Sequence, residues 1–521
     1  MSLPSALRAV EPCPPYASAS ARARVAAPLA AAAALWLALA AALPVAFAVV
    51  VGGGVALALA HAALQLRAAW RRPAPPPRAT PGGGEVGFVS VHVPICNEPP
   101  GLVCRTLSAL AAMDGPFEVI VLSNNTPRRV LWEPVRDHCL RLGRRFRFVH
   151  VERLAGAKAG ALTECLRRTD PAATHVLTVD ADYVVRPDLL RRAAEAVARA
   201  PGPVGAVQFP QAYANTGGAE GLALGYRQFF ALAMPAAARA DSALLTGTLS
   251  LISRPALDAA GGWSAATITE DADLGARLGD AGYAVAYAPD RVGRGVMPTD
   301  LCALRAQRRR WACGNAQTLR ARAGRGSLSL WHQLTFWVSP LAVPLAALVA
   351  LAIVGVEGAL ARGTALAAGG AVGAWLAARA LVLLAAARAE GAGVRLAFRA
   401  WLAERGLAWE SLTAGWEGAL GARLPFVRTS KDLGSGRVRG AAPTLGVAAT
   451  LVAAGVALGL RGAPAAGALA VAAGVVVGAG LVCLLRELRS AARSAIPVHA
   501  EAAAVLAGRR PAGSADLSLA S

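Results

Sequence analysis

Hydrophobic and polar positions divide the 521-residue chain into three kinds of segment. The first is continuous apolar sequence. From Val25 to Leu66 the only polar side chains are His61 and Gln65. A bilayer span takes about 20 apolar residues, so 25–66 predicts two spans broken near Pro44. A secretion signal competes for this run, since Arg22 and Arg24 precede it, but the apolar core of such a signal is only about 7–15 residues. Apolar runs return at 333–356, 364–387, 442–460 and 465–485, predicting an all-α bundle of about six helices. They are rich in Ala and Gly, so close contact between small residues is expected to hold them together.

The second kind of segment occupies 86–325. Short β-type runs (GFVSVHVPI, FEVIVLS, FRFVHV, HVLTVDA, VGAVQF, YAVAYA) alternate with amphipathic stretches such as PDLLRRAAEAVARA. That alternation predicts an α/β domain built on a parallel sheet. The third kind is 388–441, where Arg395, Arg399, Trp401, Trp409 and Trp416 predict amphipathic helices on a membrane surface. The expected order is an N-terminal tail (1–24), two spans (25–66), a Pro/Arg linker (67–85) and the α/β domain (86–325). An interfacial segment with two spans (326–387), the amphipathic region (388–441), two spans (442–486) and a short polar tail (487–521) complete it.

Composition agrees with a membrane protein. Charged residues make up 16% of the chain and mean hydropathy is +0.45, whereas soluble domains carry about 25% charged residues. Net charge is +21. Four arginines (Arg67, Arg71, Arg72, Arg78) follow the second span, which places 86–325 on the cytoplasmic side. Arginines are spread along the segments that flank the apolar runs, so contact with anionic lipid explains the charge better than nucleic acid, which is not an expected partner. Arg379 lies inside the fourth span and either faces a polar cavity or snorkels to the surface. The eight cysteines form no CxxC, which argues against a disulfide framework or a zinc site. No GxxxxGK[ST] and no GxGxxG between a strand and a helix is present, which disfavours nucleotide hydrolases and dehydrogenases.

Three short clusters carry candidate chemistry. Asp180-Ala181-Asp182 ends an apolar strand, where side chains at i and i+2 share a face; two carboxylates there suit Mg²⁺ or Mn²⁺, or form a plain surface turn. Thr269-Glu270-Asp271 reads either as a helix N-terminus capped by Thr269 or as a catalytic carboxylate pair. Gln307, Arg310 and Trp311 share a helix face that suits a diphosphate beside a sugar ring, or a basic membrane-surface helix with a Trp anchor. Only two of the 53 basic residues, Lys158 and Lys431, are lysine, and a compact ammonium is not interchangeable with a guanidinium at a tight phosphate site.

Together, in this order and after the strand VSVHVPICNE, these clusters resemble the D, DxD, TED and QxxRW signature of the processive family-2 glycosyltransferases, the group of cellulose, hyaluronan and chitin synthases. Pro94-Ile95-Cys96-Asn97-Glu98 looks like the P-x-x-NE element of the uridine pocket. Ala157-Lys158-Ala159-Gly160 resembles the KAG element, and Gln208-Phe209-Pro210 the Q-x-P strand. Thr246-Gly247-Thr248 stands where cellulose synthases have C-G-S. Phe426-Val427-Arg428-Thr429-Ser430-Lys431 looks like their F-x-V-T-x-K gating loop, with Arg428 in place of Val. Ser123-Asn124-Asn125-Thr126 is similar to the D-N-N-T of bacterial β-glucan synthases, with Ser123 replacing the Asp that reads uracil.

The resemblance implies a Rossmann-like GT-A domain with a mixed sheet, in the inner membrane of a bacterium. The implied reaction is inverting transfer from UDP-glucose onto a growing β-glucan, exported through the spans to periplasmic or outer-membrane partners. In that scheme Asp271, with Glu270, is the catalytic base. Asp182 and Asp180 hold Mg²⁺ or Mn²⁺. Asn97, Glu98, Ser123, Asn124, Lys158, Asp180, Gln307 and Arg310 bind the donor. Trp311, Thr246 and Gly247 bind the acceptor, and Phe426, Thr429 and Lys431 form the gating loop. Two other readings remain: a non-processive transferase acting on a lipid acceptor, and a catalytically weakened scaffold of an export complex.

Overall fold

A computed structural model describes residues 38, 42–70, 86–200, 202–322, 328–355, 359–421, 428–431, 433 and 440–508. All six expected strands form. They are β1 (Val89–Ile95), β2 (Phe117–Asn124), β3 (Phe146–Val151), β4 (His175–Thr178), β6 (Val204–Gln208) and β9 (Ala284–Tyr287). Two-residue β5 (Val184–Val185) precedes β6, and β7 (Ala212–Tyr213), β8 (Ser250–Ser253) and β10 (Gly293–Gly295) complete the set.

The main sheet has the order β3-β2-β1-β4-β8-β6-β9. It is mixed, because β8 runs antiparallel to both β4 and β6 while the other pairs are parallel. The purely parallel pattern read from strand–helix alternation is corrected by β8, whose four residues SLIS show no apolar alternation. The mixed GT-A-like arrangement is the one found. A small sheet, β5-β10-β7, packs beside it.

Strand alternation builds the core. Val89, Val91, Val93 and Ile95 of β1 face the same buried cluster as Val119 and Val121 of β2, against helix Pro100–Ala111. On the opposite side Ile120 and Leu122 pack on Ala161 and Cys165 of helix Ala157–Arg167. The strand ends at Ile95, Asn124 and Thr178 therefore open together, where open α/β sheets bind ligands.

Four described helices are long and apolar enough to cross a membrane: Pro44–Trp70, one within Ala359–Ala389, Ala442–Leu460 and Pro464–Leu506. A fifth span is possible if Leu330–Val338 and Ala342–Leu351 count as one, bent by 75°. The bend falls at a 3₁₀ segment containing Pro340, which cannot donate to a helical ladder. The first expected span lies almost wholly outside the described residues. Small residues hold the last two helices together: a Cβ on Gly455 would meet the Gly467 carbonyl oxygen at 2.5 Å.

One expectation at the C-terminus fails. Residues 487–506 are not a polar tail but the second half of a 43-residue helix, Pro464–Leu506. At 1.5 Å per residue it is about 65 Å long, roughly twice a bilayer's hydrocarbon thickness. Its far end lies on the α/β domain, with Val498 and Ala502 packed against Leu102 and Val296, and Glu501 paired with Arg105 at 2.7 Å.

Candidate active site

The open strand ends surround a cavity of about 510 Å³. Its walls come from nine stretches of sequence, and nearly every residue singled out above reaches it: Asn97, Glu98, Asn124, Lys158, Asp180, Asp182, Thr246, Gly247, Glu270, Asp271, Gln307, Arg310, Trp311, Thr429 and Lys431. Two do not. Ser123 is fully buried, and its hydroxyl lies 3.2 Å from His150 Nδ1, which in turn stacks on Trp132. Strand β2 continues through Asn124, so Ser123 is paired inside the sheet with His150 rather than presented at its open end. Phe426 lies outside the described residues.

The mouth is made by two loops tied together. Asn97 and Asn125 both adopt left-handed backbone, φ 53° and 51°, which Asn tolerates better than most residues. Asn97 Nδ2 donates to the Asn125 carbonyl at 3.2 Å, and its backbone N–H donates to Thr126 Oγ1 at 2.9 Å. Asn125 in turn exchanges hydrogen bonds with the backbone of Leu154.

The two carboxylates of the Asp-x-Asp element lie just beyond β4, not within it, so strand alternation is not what aims them. Each is held by one of the chain's two lysines. Lys158 Nζ donates to Asp180 Oδ1 at 2.6 Å and to the Gly247 carbonyl at 2.7 Å. Lys431 Nζ donates to Asp182 Oδ2 at 3.1 Å and to the Val296 carbonyl at 2.9 Å. The Val296 N–H also donates to Asp182 Oδ2, at 2.7 Å. Beside Lys431, Arg428 Nη1 reaches Glu98 Oε2 at 3.1 Å. Residues 428–431 thus bond to both sides of the cavity. Two hard carboxylates, with no group of three or more His, Cys, Asp or Glu among the described residues, suit a divalent ion that completes its shell with diphosphate oxygens and water.

Glu270 and Asp271 open helix Glu270–Asp280. Thr269 occupies the cap position without a capping hydrogen bond, and it packs where Gly314 leaves room. Burial raises the Asp271 carboxyl above its usual value, with Lys158 pulling the other way. Burial and the neighbouring Asp271 push Glu270 up to about 7. The loop Thr246–Thr248 lies directly against Asp271. Buried Gln208 accepts from the Thr246 N–H at 2.9 Å and donates to the Thr248 carbonyl at 3.0 Å, which explains the Gln of the Q-x-P element.

Sequence reasoning missed what orients the Gln307–Trp311 face. Tyr226 donates its hydroxyl hydrogen to Gln307 Oε1 at 2.6 Å. The guanidinium of Arg308 lies 4.1 Å from the Tyr226 ring centre, 4.0 Å from that of Trp337 and 5.1 Å from that of Trp311. This buried cation–π box holds Trp311 edge-on to Tyr226 at the cavity wall. Arg308 and Trp311 stand at i and i+3 on one helix, but Tyr226 and Trp337 are remote in sequence, so the box could not be read from the chain alone.

Residues 90–259 match the family described as "Glycosyl transferase family 2", and 175–387 match "Glycosyl transferase family group 2". The chain is 27% identical over 269 residues to glucomannan 4-beta-mannosyltransferase 7 of Arabidopsis thaliana, covering 48% of each. It is 32% identical over 172 residues to probable glucomannan 4-beta-mannosyltransferase 3 of Oryza sativa subsp. japonica, covering 32% and 31%. The chain thus spans about half the length, or less, of the curated relatives it matches. Among solved structures, the mannosyltransferase PcManGT from Pyrobaculum calidifontis in complex with GDP-Man and Mn2+ is 22% identical, with a TM-score of 0.45, covering 72% of this chain and all of that one.

Proposed function

We propose that this chain, which carries a family-2 glycosyltransferase domain, transfers a hexosyl unit with inversion from a nucleoside-diphosphate sugar to the hydroxyl of a β-linked glycan. The observation that carries this reading is the placement of Asp180, Asp182, Asp271, Arg310 and Trp311 around one cavity.

Asp271 takes the proton from the acceptor hydroxyl as its oxygen attacks the anomeric carbon and the diphosphate leaves. Its raised carboxyl value makes it a stronger base than an exposed aspartate. Lys158, Lys431 and Arg310 offer cationic donors to the diphosphate. Asp180 and Asp182 would hold a divalent ion, which supplies counter-charge to the leaving group. Trp311 gives the acceptor sugar an apolar plate, while Asn97 and Asn124 edge the base side of the cavity. Relatives named as glucomannan mannosyltransferases move the favoured sugar from glucose toward mannose, so the donor class becomes nucleoside-diphosphate mannose or glucose.

Processive synthesis with export, and placement in a cell membrane, remain part of the proposal. They are supported by the apolar helices and by residues 428–431 at the cavity. The test supplies the purified full chain with radiolabelled UDP-glucose and GDP-mannose separately and sizes the products. A long polymer from one donor supports the reading; a small lipid-extractable product replaces it with lipid glycosylation. No transfer from either donor, with or without Mn²⁺, contradicts both.

A further inference from the structure

The backbone at Val296 and Met297 lies beneath the Lys431–Asp182 contact, and the last helix holds it from behind. Asp182 and Lys431 both bond to the backbone of Val296, through its N–H and its carbonyl. Their placement therefore depends on where Val296 sits. Its side chain is fully buried against Leu102 and, on the last helix, Val498 and Ala502.

The next residue is gripped by one side chain. Asn215 Oδ1 accepts from the Met297 N–H at 2.8 Å, and Asn215 Nδ2 donates to the Met297 carbonyl at 3.1 Å. The same Nδ2 reaches the Ala491 carbonyl of the last helix at 3.3 Å. Asn215 is completely buried and follows β7, the parallel partner of β10. The Ala214 N–H already donates to the Gly295 carbonyl at 2.9 Å. A carboxamide that serves both backbone groups of one residue does what another strand residue would do, so Asn215 extends the β7–β10 pairing. It also adds a bond to a membrane helix that no backbone group there supplies. Alanine, serine or aspartate cannot do all three.

The helix it grips is firmly seated. Ser494 donates to the Gly217 carbonyl at 2.6 Å, Glu487 accepts from the Leu222 N–H at 3.2 Å, and Glu501 pairs with Arg105. A Cβ on Gly101 would lie 2.9 Å from the Ala502 carbonyl oxygen, so helix and domain touch backbone to backbone.

We infer that Asn215 is a positioning residue that couples the last membrane helix to the diphosphate end of the cavity, by fixing the backbone that holds Asp182 and Lys431. A displacement of that helix reaches Val296 through Asn215 and through Val498 and Ala502. The role in donor binding rests on the function proposed above; the mechanical coupling does not.

The test uses the full chain in detergent, with Asn215→Ala and Val498→Ala. The second variant thins the packing on Val296 and breaks no hydrogen bond, so it carries the test if the first fails to fold. Hydrogen–deuterium exchange is read at 293–297 and, as an internal control, at 89–95. Nucleoside diphosphate binding is measured by calorimetry with UDP and GDP in Mn²⁺. Loss of the Asn215 bonds should raise exchange at 293–297 at least about tenfold in Asn215→Ala, less in Val498→Ala, and leave 89–95 unchanged. Mn²⁺-supported affinity should fall about tenfold in Asn215→Ala. Unchanged exchange at 293–297 in the folded variants overturns the coupling. Raised exchange with unchanged affinity overturns the positioning role. If the wild-type chain binds neither nucleotide, the proposed function fails while the exchange result still decides the coupling.

Discussion

Replacing Gly247 by alanine tests the geometry around the proposed base with a single carbon. Gly247 sits at φ +79°, and an added Cβ would lie 2.9 Å from Asp271 Oδ2 and 3.3 Å from Lys158 Nζ. Two costs follow. The left-handed backbone costs a non-glycine residue about 1–2 kcal/mol, which is a stability effect. The collision is different, because a comfortable contact begins at about 3.5 Å and the carboxylate must retreat by roughly half an ångström. Misplacing reacting groups by about 1 Å can cost 10²-fold, so half that shift at the base predicts a transfer rate lower by about ten- to a hundredfold. Gly262→Ala separates the two costs: its φ is +71°, but its added Cβ meets nothing within 4 Å. Initial transfer rates and nucleotide affinity would be measured for both variants. Gly247→Ala should lose rate with affinity kept within a few-fold, and Gly262→Ala should lose only stability. A folded Gly247→Ala with the wild-type rate would refute the argument.

Three further outcomes follow from the same geometry. Asp182→Ala should remove the divalent dependence of nucleotide binding; calorimetry showing the same Mn²⁺ response in variant and wild type would contradict that role. Burial pushes the Glu98 carboxyl up to about 7, against the pull of Arg428. The folded state therefore binds more protons than the unfolded state between about 4.5 and 7, and stability should fall by on the order of 3 kcal/mol as pH rises through that window. Glu98→Gln should flatten the slope in unfolding measurements across pH. Arg379 is neither snorkelled nor unpaired: it is buried, bonds Glu404 at 2.6 Å, and borders a cavity of about 200 Å³ with His61, Gln65 and His332. Arg379→Leu should destabilise by on the order of 3 kcal/mol, and the double variant Arg379→Leu/Glu404→Leu by clearly less, as read from thermal unfolding.

The parts of the site that were legible in the sequence are side chains in short, ordered motifs. Asp180, Asp271, Gln307, Arg310 and Trp311 bring their chemistry with them, and the scarcity of lysine pointed to Lys158 and Lys431, which hold the two aspartates. The six main strands were legible because their apolar runs are bounded by polar turns. Backbone partners were not: nothing in Val296 as a residue type announces that its N–H and carbonyl hold Asp182 and Lys431. Nor does the spacing between Tyr226, Arg308 and Trp337 announce a cation–π box, which exists only once three distant helical segments pack. Ser123 was misplaced because a motif position does not say whether a strand ends before or after it. The last helix was cut short at Glu487 because its polarity rises there, whereas its helical path continues to Leu506. Its buried face, including Ala491, Ala495 and Val498, is too short in side chain to stand out against an Ala-rich background.

Asp271 is proposed as the base of a glycosyl transfer carried out in this cavity. Asp271→Asn keeps the size of the side chain and removes its basicity. The decisive measurement is the single-turnover transfer rate of that variant with the donor the wild type accepts, paired with its affinity for the same nucleotide. The rate should fall by about 10²–10⁴-fold, the contribution typical of a placed general base, with nucleotide affinity nearly unchanged. A properly folded Asp271→Asn that transfers sugar at close to the wild-type rate would contradict it.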